Sequence, residues 1–172
     1  TIGGRYGLGS VTPLCAQDQA CSPKTLGCAD TKPLAERPDV LSFSTSALES
    51  PVEVTGFVLA KLWISSDVED TDFTAKLVDV YPSGYALILA DGQIRARFRK
   101  SFERPEPMKP GKVYEVTIDL GPTSNLFERG HKIRVDISSS NFPKFEHQTR
   151  KARNTVYHGA GRSSYVELPV IR

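Results

Sequence analysis

Apolar and polar residues alternate with a period of two along much of this 172-residue chain, a pattern that fits strands and leaves little room for helix. Tyr114, Val116, Ile118 and Leu120 stand at every second position, as do Ile133, Val135 and Ile137. Ile94, Ala96 and Phe98 do the same, with Arg95, Arg97 and Arg99 between them. A strand turns successive side chains to opposite faces, so each run buries one face and solvates the other. Pro82-Ser83-Gly84, Asp91-Gly92, Pro110-Gly111 and Arg129-Gly130 supply turn chemistry between the runs. Strands are therefore expected at residues 40–44, 52–64, 73–81, 85–90, 94–99, 113–120, 131–138, 154–158 and 164–171, with Gly56 as a bulge. Helix is limited to single turns at 36–39 and 126–130. Eight or nine mainly antiparallel strands at this spacing predict an all-β domain, and a jelly-roll β-sandwich buries this many inward faces.

The first 38 residues have another texture. Gly3, Gly4, Gly7 and Gly9, then Pro13, Pro23, Pro33 and Pro38, interrupt any long helix or central strand. An irregular lead-in over 1–38 and a sandwich over 39–172 are the expected division. Cys15, Cys21 and Cys28 all lie in the lead-in. Three readings stand open for them: one disulfide and a free thiol, a metal site, or three unpaired thiols. The chain opens Thr1-Ile2-Gly3-Gly4-Arg5, without an initiator Met or the apolar stretch of a secretory signal, and is expected to be a piece of a longer protein. The sequence leaves the compartment open, with the cytoplasm ahead of secretion.

Charge and composition exclude some functions. A net charge of +2 is too small for an electrostatically driven nucleic-acid binder. No apolar run reaches the 18 residues of a membrane span. No Gly-x-Ser-x-Gly elbow occurs to expose a nucleophile, and Ser138-Ser139-Ser140 has no flanking glycine, so His131, His147 and His158 are not expected to join a catalytic triad. Asp67, Glu69, Asp70 and Asp72 cluster like cation ligands, but the glycine and glutamate of a calcium loop are missing. A solvated loop with Asx-turns is expected there, and no metal or cofactor. The Arg95, Arg97, Arg99, Lys100 face is expected to be solvated or ion-paired. Trp63 lies in the longest apolar run, and core packing is expected of it rather than a sugar-binding role.

Longer strings carry a family signal. They include Arg37-Pro38-Asp39-Val40-Leu41-Ser42-Phe43-Ser44-Thr45, Val52-Glu53-Val54-Thr55-Gly56, and Asp70-Thr71-Asp72-Phe73-Thr74-Ala75-Lys76-Leu77-Val78-Asp79-Val80-Tyr81-Pro82-Ser83-Gly84. Gly130-His131-Lys132-Ile133-Arg134-Val135-Asp136-Ile137-Ser138-Ser139-Ser140-Asn141-Phe142-Pro143 is another. In order, these resemble the C-terminal domain of Xaa-Pro dipeptidyl-peptidases and cocaine-esterase-like acyl hydrolases, the CocE/NonD serine hydrolases. The resemblance implies a galactose-binding-like jelly roll packed on a preceding α/β-hydrolase domain that holds the family's Ser, Asp and His. None of those three maps onto this chain. The expected role is a non-catalytic domain that packs on the catalytic domain and helps shape its cleft; the alternative is a free-standing carbohydrate- or ligand-binding module. A homo-oligomer is compatible with either.

Two residue sets follow. Asn141, Phe142, Pro143 and Phe145 form a loop whose phenylalanines are costly to expose, which makes it the candidate interface or cleft segment. Asp79 shares a strand face with Phe73, Ala75 and Leu77, and an inward carboxylate needs a partner. Arg95 and Arg97 are the expected partners in a structural ion pair.

Overall fold

The computed structural model describes residues 37–141, 144–146, 148 and 150–171. The cysteines and most of the predicted lead-in lie outside the described residues, as do Phe142, Pro143 and His147. Among the described residues eight strands form two antiparallel sheets: β1 (Leu41–Ser44), β2 (Val52–Ser66), β3 (Asp72–Val80), β4 (Ala86–Arg95), β5 (Tyr114–Phe127), β6 (Lys132–Ser138), β7 (Asn154–Tyr157) and β8 (Tyr165–Glu167). One sheet has the order β1-β6-β3-β4; in the other β5, β2 and β7 are neighbours and β8 also pairs with β2. Only the β3–β4 and β7–β8 connections stay within a sheet. The chain crosses from one layer to the other elsewhere, as the expected jelly-roll sandwich requires.

The core lies between the layers. Val54, Val58, Ala60, Leu62 and Ile64 of β2 meet Phe73, Ala75 and Leu77 of β3, with Val116, Ile118 and Phe127 of β5 beside them. Odd-numbered residues of β2 point the other way. Trp63 accordingly sits half-buried on the outer face, between the inward Leu62 and Ile64, and is not the core residue its apolar run suggests.

Three differences from the expected strands have physical causes. Asp91-Gly92 is not a turn: β4 runs through it, and Gly92 pairs with Ala75. The glycine is there because β4 approaches the other sheet closely. A Cβ built on it would stand 2.0 Å from the Asp119 carbonyl oxygen of β5. The strand expected at 94–99 stops at Arg95, and Ala96–Phe98 form a 3₁₀ turn. β5 runs seven residues past Leu120, because Leu120 is an unpaired bulge residue and Gly121 takes φ +83°. The extra residue reverses the parity, from Val116 and Ile118 inward to Asn125 and Phe127 inward, so the alternation that marks the strand breaks there. Gly56, by contrast, is paired with Thr123 in a regular stretch of ladder.

Replacing Gly92 with alanine is expected to push β4 off β5. Overpacked core sites lose about 1–3 kcal/mol, and a backbone atom as the clashing partner puts Gly92→Ala at the upper end or beyond. Urea unfolding of the variant checks it; a loss below about 0.5 kcal/mol, the range of ordinary surface substitutions, contradicts the close approach.

A candidate domain interface and its polar supports

β3 is buried on both faces. Its core face is apolar down to Asp79, whereas its other face presents Asp72, Thr74, Lys76 and Val78, all at most 3% exposed. Register decides their neighbours. Thr74 lies beside Ser138, Lys76 between Asp91 and Asp136, and Val78 beside Arg134. The Thr74 and Ser138 hydroxyls are 2.6 Å apart, and Ser138 donates onward to the Ser140 carbonyl. Asp136 accepts from Ser42 Oγ at 2.5 Å and from Arg134 Nη2 at 3.0 Å. Burial pushes the Lys76 ammonium down to about 8, against the opposing pull of Asp91 and Asp136.

The candidate loop is tied to this face. Asn141, 1% exposed, donates from Nδ2 to Asp91 Oδ2 at 2.6 Å. Lys144 reaches the other oxygen of the same carboxylate at 2.6 Å, and the Phe145 amide donates to the Asn141 carbonyl. Phe145 is half-buried, with the Lys144 ammonium 5.5 Å from its ring centroid. Of the candidate interface residues, Asn141 is thus an internal anchor and Phe145 is only half-buried.

The acidic loop is engaged by arginines. Arg95 pairs with Asp72 through Nε at 2.9 Å and Nη2 at 3.2 Å. Desolvation nevertheless raises the Asp72 carboxyl, whereas the hydrogen bond that Arg95 donates to Asp72 raises Arg95. The two directions agree once burial is considered: the bond forms, but Asp72 loses more hydration than its partner. Asp70 accepts the Arg97 backbone N–H at 3.1 Å and lies 3.5 Å from its guanidinium, and Asp67 accepts the Arg153 amide.

These pairings correct the expected Asp79–Arg95 or Asp79–Arg97 bridge. Asp79 is buried and inward, as its parity requires, but Arg95 projects from the opposite face of the sheet, opposite Asp72. The seven residue steps from Asp72 to Asp79 also put them about 23 Å apart along β3. The partner of Asp79 is His131, at the entry to β6, with Nδ1 2.9 Å from Oδ1. Asn125 of β5 approaches the second oxygen at 3.4 Å, and the Tyr81 ring lies over the imidazole with centroids 4.3 Å apart. The pair ties β3 of one sheet to the β5–β6 turn. The Gly130-His131 string was the available signal, since a histidine following a turn glycine is placed by that turn.

Comparison with known proteins assigns this sandwich to a family. The model of the X-Pro dipeptidyl-peptidase C-terminal non-catalytic domain matches residues 4–167, and the chain belongs to that family. It is 44% identical over 160 residues to cocaine esterase of Rhodococcus sp. (strain MB1 Bresler), covering 85% of this chain and 28% of that protein. Among solved structures, an aminopeptidase from a marine sediment Thaumarchaeota archaeon superposes with a TM-score of 0.77 at 31% identity, over 80% of this chain and 27% of that one. An α-amino acid ester hydrolase gives 0.76 at 30% identity, over 80% and 26%. The chain thus spans little more than a quarter of the length of these relatives.

Two predictions follow from the polar supports. Lys76 binds its proton less tightly folded, at about 8, than unfolded, at 10.5, so between those values the unfolded chain holds more protons and stability rises with pH. The gain is about 3 kcal/mol from pH 8 to 10.5, and Lys76→Met should remove it; parallel urea titrations of the two proteins across that range check the difference. Truncating one partner of the buried Asp79–His131 pair should cost about 3 kcal/mol. A double-mutant cycle of Asp79→Ala with His131→Ala should show coupling above about 0.5 kcal/mol. The same cycle with Arg95→Ala should be additive.

Proposed function

We propose that this chain is the part of a serine hydrolase that packs against its α/β-hydrolase domain and helps shape the substrate cleft, leaving the chemistry to that domain. The observation that carries this reading is the family match over residues 4–167, to a domain described as non-catalytic, by a chain spanning 28% of an esterase. The local geometry agrees with it. The Ser138 hydroxyl is committed to Thr74 and the Ser140 carbonyl, while His131 is committed to Asp79. Neither belongs to a nucleophile–base arrangement. The substrate of the whole protein is an ester or an Xaa-Pro peptide, the two chemistries that the family joins. The segment around Asn141 and Phe145 is the proposed contact with the hydrolase domain: Asn141 fixes it to Asp91, and the half-buried Phe145 ring is what it offers outward.

The test has two arms. The 172-residue chain is assayed with an activated ester and an Xaa-Pro chromogenic peptide, and no turnover sensitive to a serine-directed phosphonate is expected; such turnover would overturn the reading. In the whole protein, Phe145→Ala should lower kcat/KM by tenfold or more while shifting the melting temperature of the isolated chain by only a few degrees. Equal losses in both settings would assign Phe145 to the sandwich's own packing.

A further inference from the structure

The two long sides of the sandwich are unlike. On one, β4 and β5 close against each other at Gly92 and Asp119. On the other, the layers end in short strands: β1 has four residues, β7 four and β8 three. Strands of this length carry too few side chains to fill the space between the sheets. A cavity of about 180 Å³ remains there. Phe43, Val135 and Ile137 line it from one sheet, and Leu62, Val156 and Val166 from the other. Leu62 and Ile137 form an almost fully buried floor, at 1% and 3% exposure. At the mouth the Phe43 and His158 rings meet edge-on across the gap between the layers, with centroids 5.6 Å apart.

The chemistry of the lining restricts what can enter. Among the described residues it holds no Asp, Glu, Lys or Arg. An ion would lose its hydration there without a counter-charge. The Ser164 hydroxyl is already committed, donating to the Tyr157 carbonyl and accepting the Trp63 amide. The polar side chain left to a ligand at the rim is the His158 imidazole; Tyr165, paired with Lys61, turns its ring to the outer face of the sheet, where the Lys61 ammonium lies 5.7 Å from its centroid. An apolar cavity of about 150 Å³ stays dry and takes up benzene, so the space here matches one six-membered ring with a small substituent.

We propose that this open side of the sandwich is a binding site for a small neutral molecule bearing a single aromatic ring. The ring stacks among Leu62, Val135, Ile137 and Val156, and one uncharged polar substituent is directed outward to His158. The site lies within the sandwich and does not depend on the proposed role beside a hydrolase domain. It places a ligand pocket in a domain whose family is described by its lack of catalysis.

The experiment uses the 172-residue chain with methyl-labelled valine, leucine and isoleucine, titrated with 4-fluorobenzyl alcohol. Saturable shifts with half-saturation below about 1 mM are expected, which is within reach of a nine-heavy-atom ligand. Intermolecular NOEs from the ring to the Val135, Val156 and Val166 methyls should appear. Val156→Phe, which fills the cavity, should weaken binding at least tenfold. If that variant fails to fold, the NOEs of the unaltered chain decide the matter. 4-Fluorobenzoate should bind at least tenfold more weakly than the alcohol. Non-saturating shifts, NOEs to methyls elsewhere, or undiminished binding in a folded Val156→Phe would overturn the site. Equal affinity for the benzoate would overturn its assignment to neutral ligands.

Discussion

The burial of β3 on both faces is the constraint on which the other features depend. An interior strand of an antiparallel sandwich ordinarily needs one apolar face and can leave the other to water. Here the second face is also removed from water, and it carries a carboxylate, a hydroxyl and an ammonium. Each needs a partner within a few ångströms, because an unpaired buried polar group costs more than a paired one returns. The neighbours of β3 are therefore not free to vary in register. Asp91 and Asp136 must flank Lys76, and Ser138 must stand beside Thr74, so slipping β4 by one residue would carry Asp91 away from Lys76, and slipping β6 would carry away both Asp136 and Ser138. The apolar core sets which layers stack; the polar face sets which residues align.

The same requirement extends beyond the sheet. Asp91 has one oxygen for Asn141 and the other for Lys144, so the loop leaving β6 is held by a residue whose place is fixed by β3. At the opposite end of the strand, Asp79 does the equivalent for the β5–β6 turn through His131. The two loop ends of the sandwich are thus both referred to one strand by carboxylates, that of Asp79 buried and that of Asp91 partly so. If the loop meets a catalytic domain as proposed, this rigidity matters: a side chain misplaced by about 1 Å beside a reacting group costs on the order of a hundredfold in rate.

Period-two alternation was enough to read the all-β class and most strands, because Ile133, Val135 and Ile137, or Phe73, Ala75 and Leu77, can be seen without knowing their neighbours. It failed where a second layer intrudes. Asp91-Gly92 has turn chemistry in isolation, and only the proximity of Asp119 explains a glycine within a strand. The bulge at Leu120 hides the rest of β5 by reversing its parity. Trp63 belongs to an apolar run in which both faces are apolar, so composition could not say which was inward. For Asp79 the inward direction was legible from parity, but its partner was not. Arg95 was rejected by a face relation that β3 and β4 settle only when paired, and His131 arrives from a turn more than fifty residues away.

The unequal sides of the sandwich follow from the same distribution of strand lengths. β2 and β5, at 15 and 14 residues, can curve together and bring β5 against β4, where Gly92 gives up its side chain to permit contact. β1, β7 and β8 have no such length, and they add few side chains to the space between the sheets. Close-packed interiors leave few voids larger than a water molecule, since each costs the dispersion contacts its lining would otherwise make. A space of about 180 Å³ rimmed by Phe43 and His158 is therefore not what tight packing of this sequence alone would leave. One side of the fold has been closed by removing a side chain altogether, and the other has been left open under two aromatic rings.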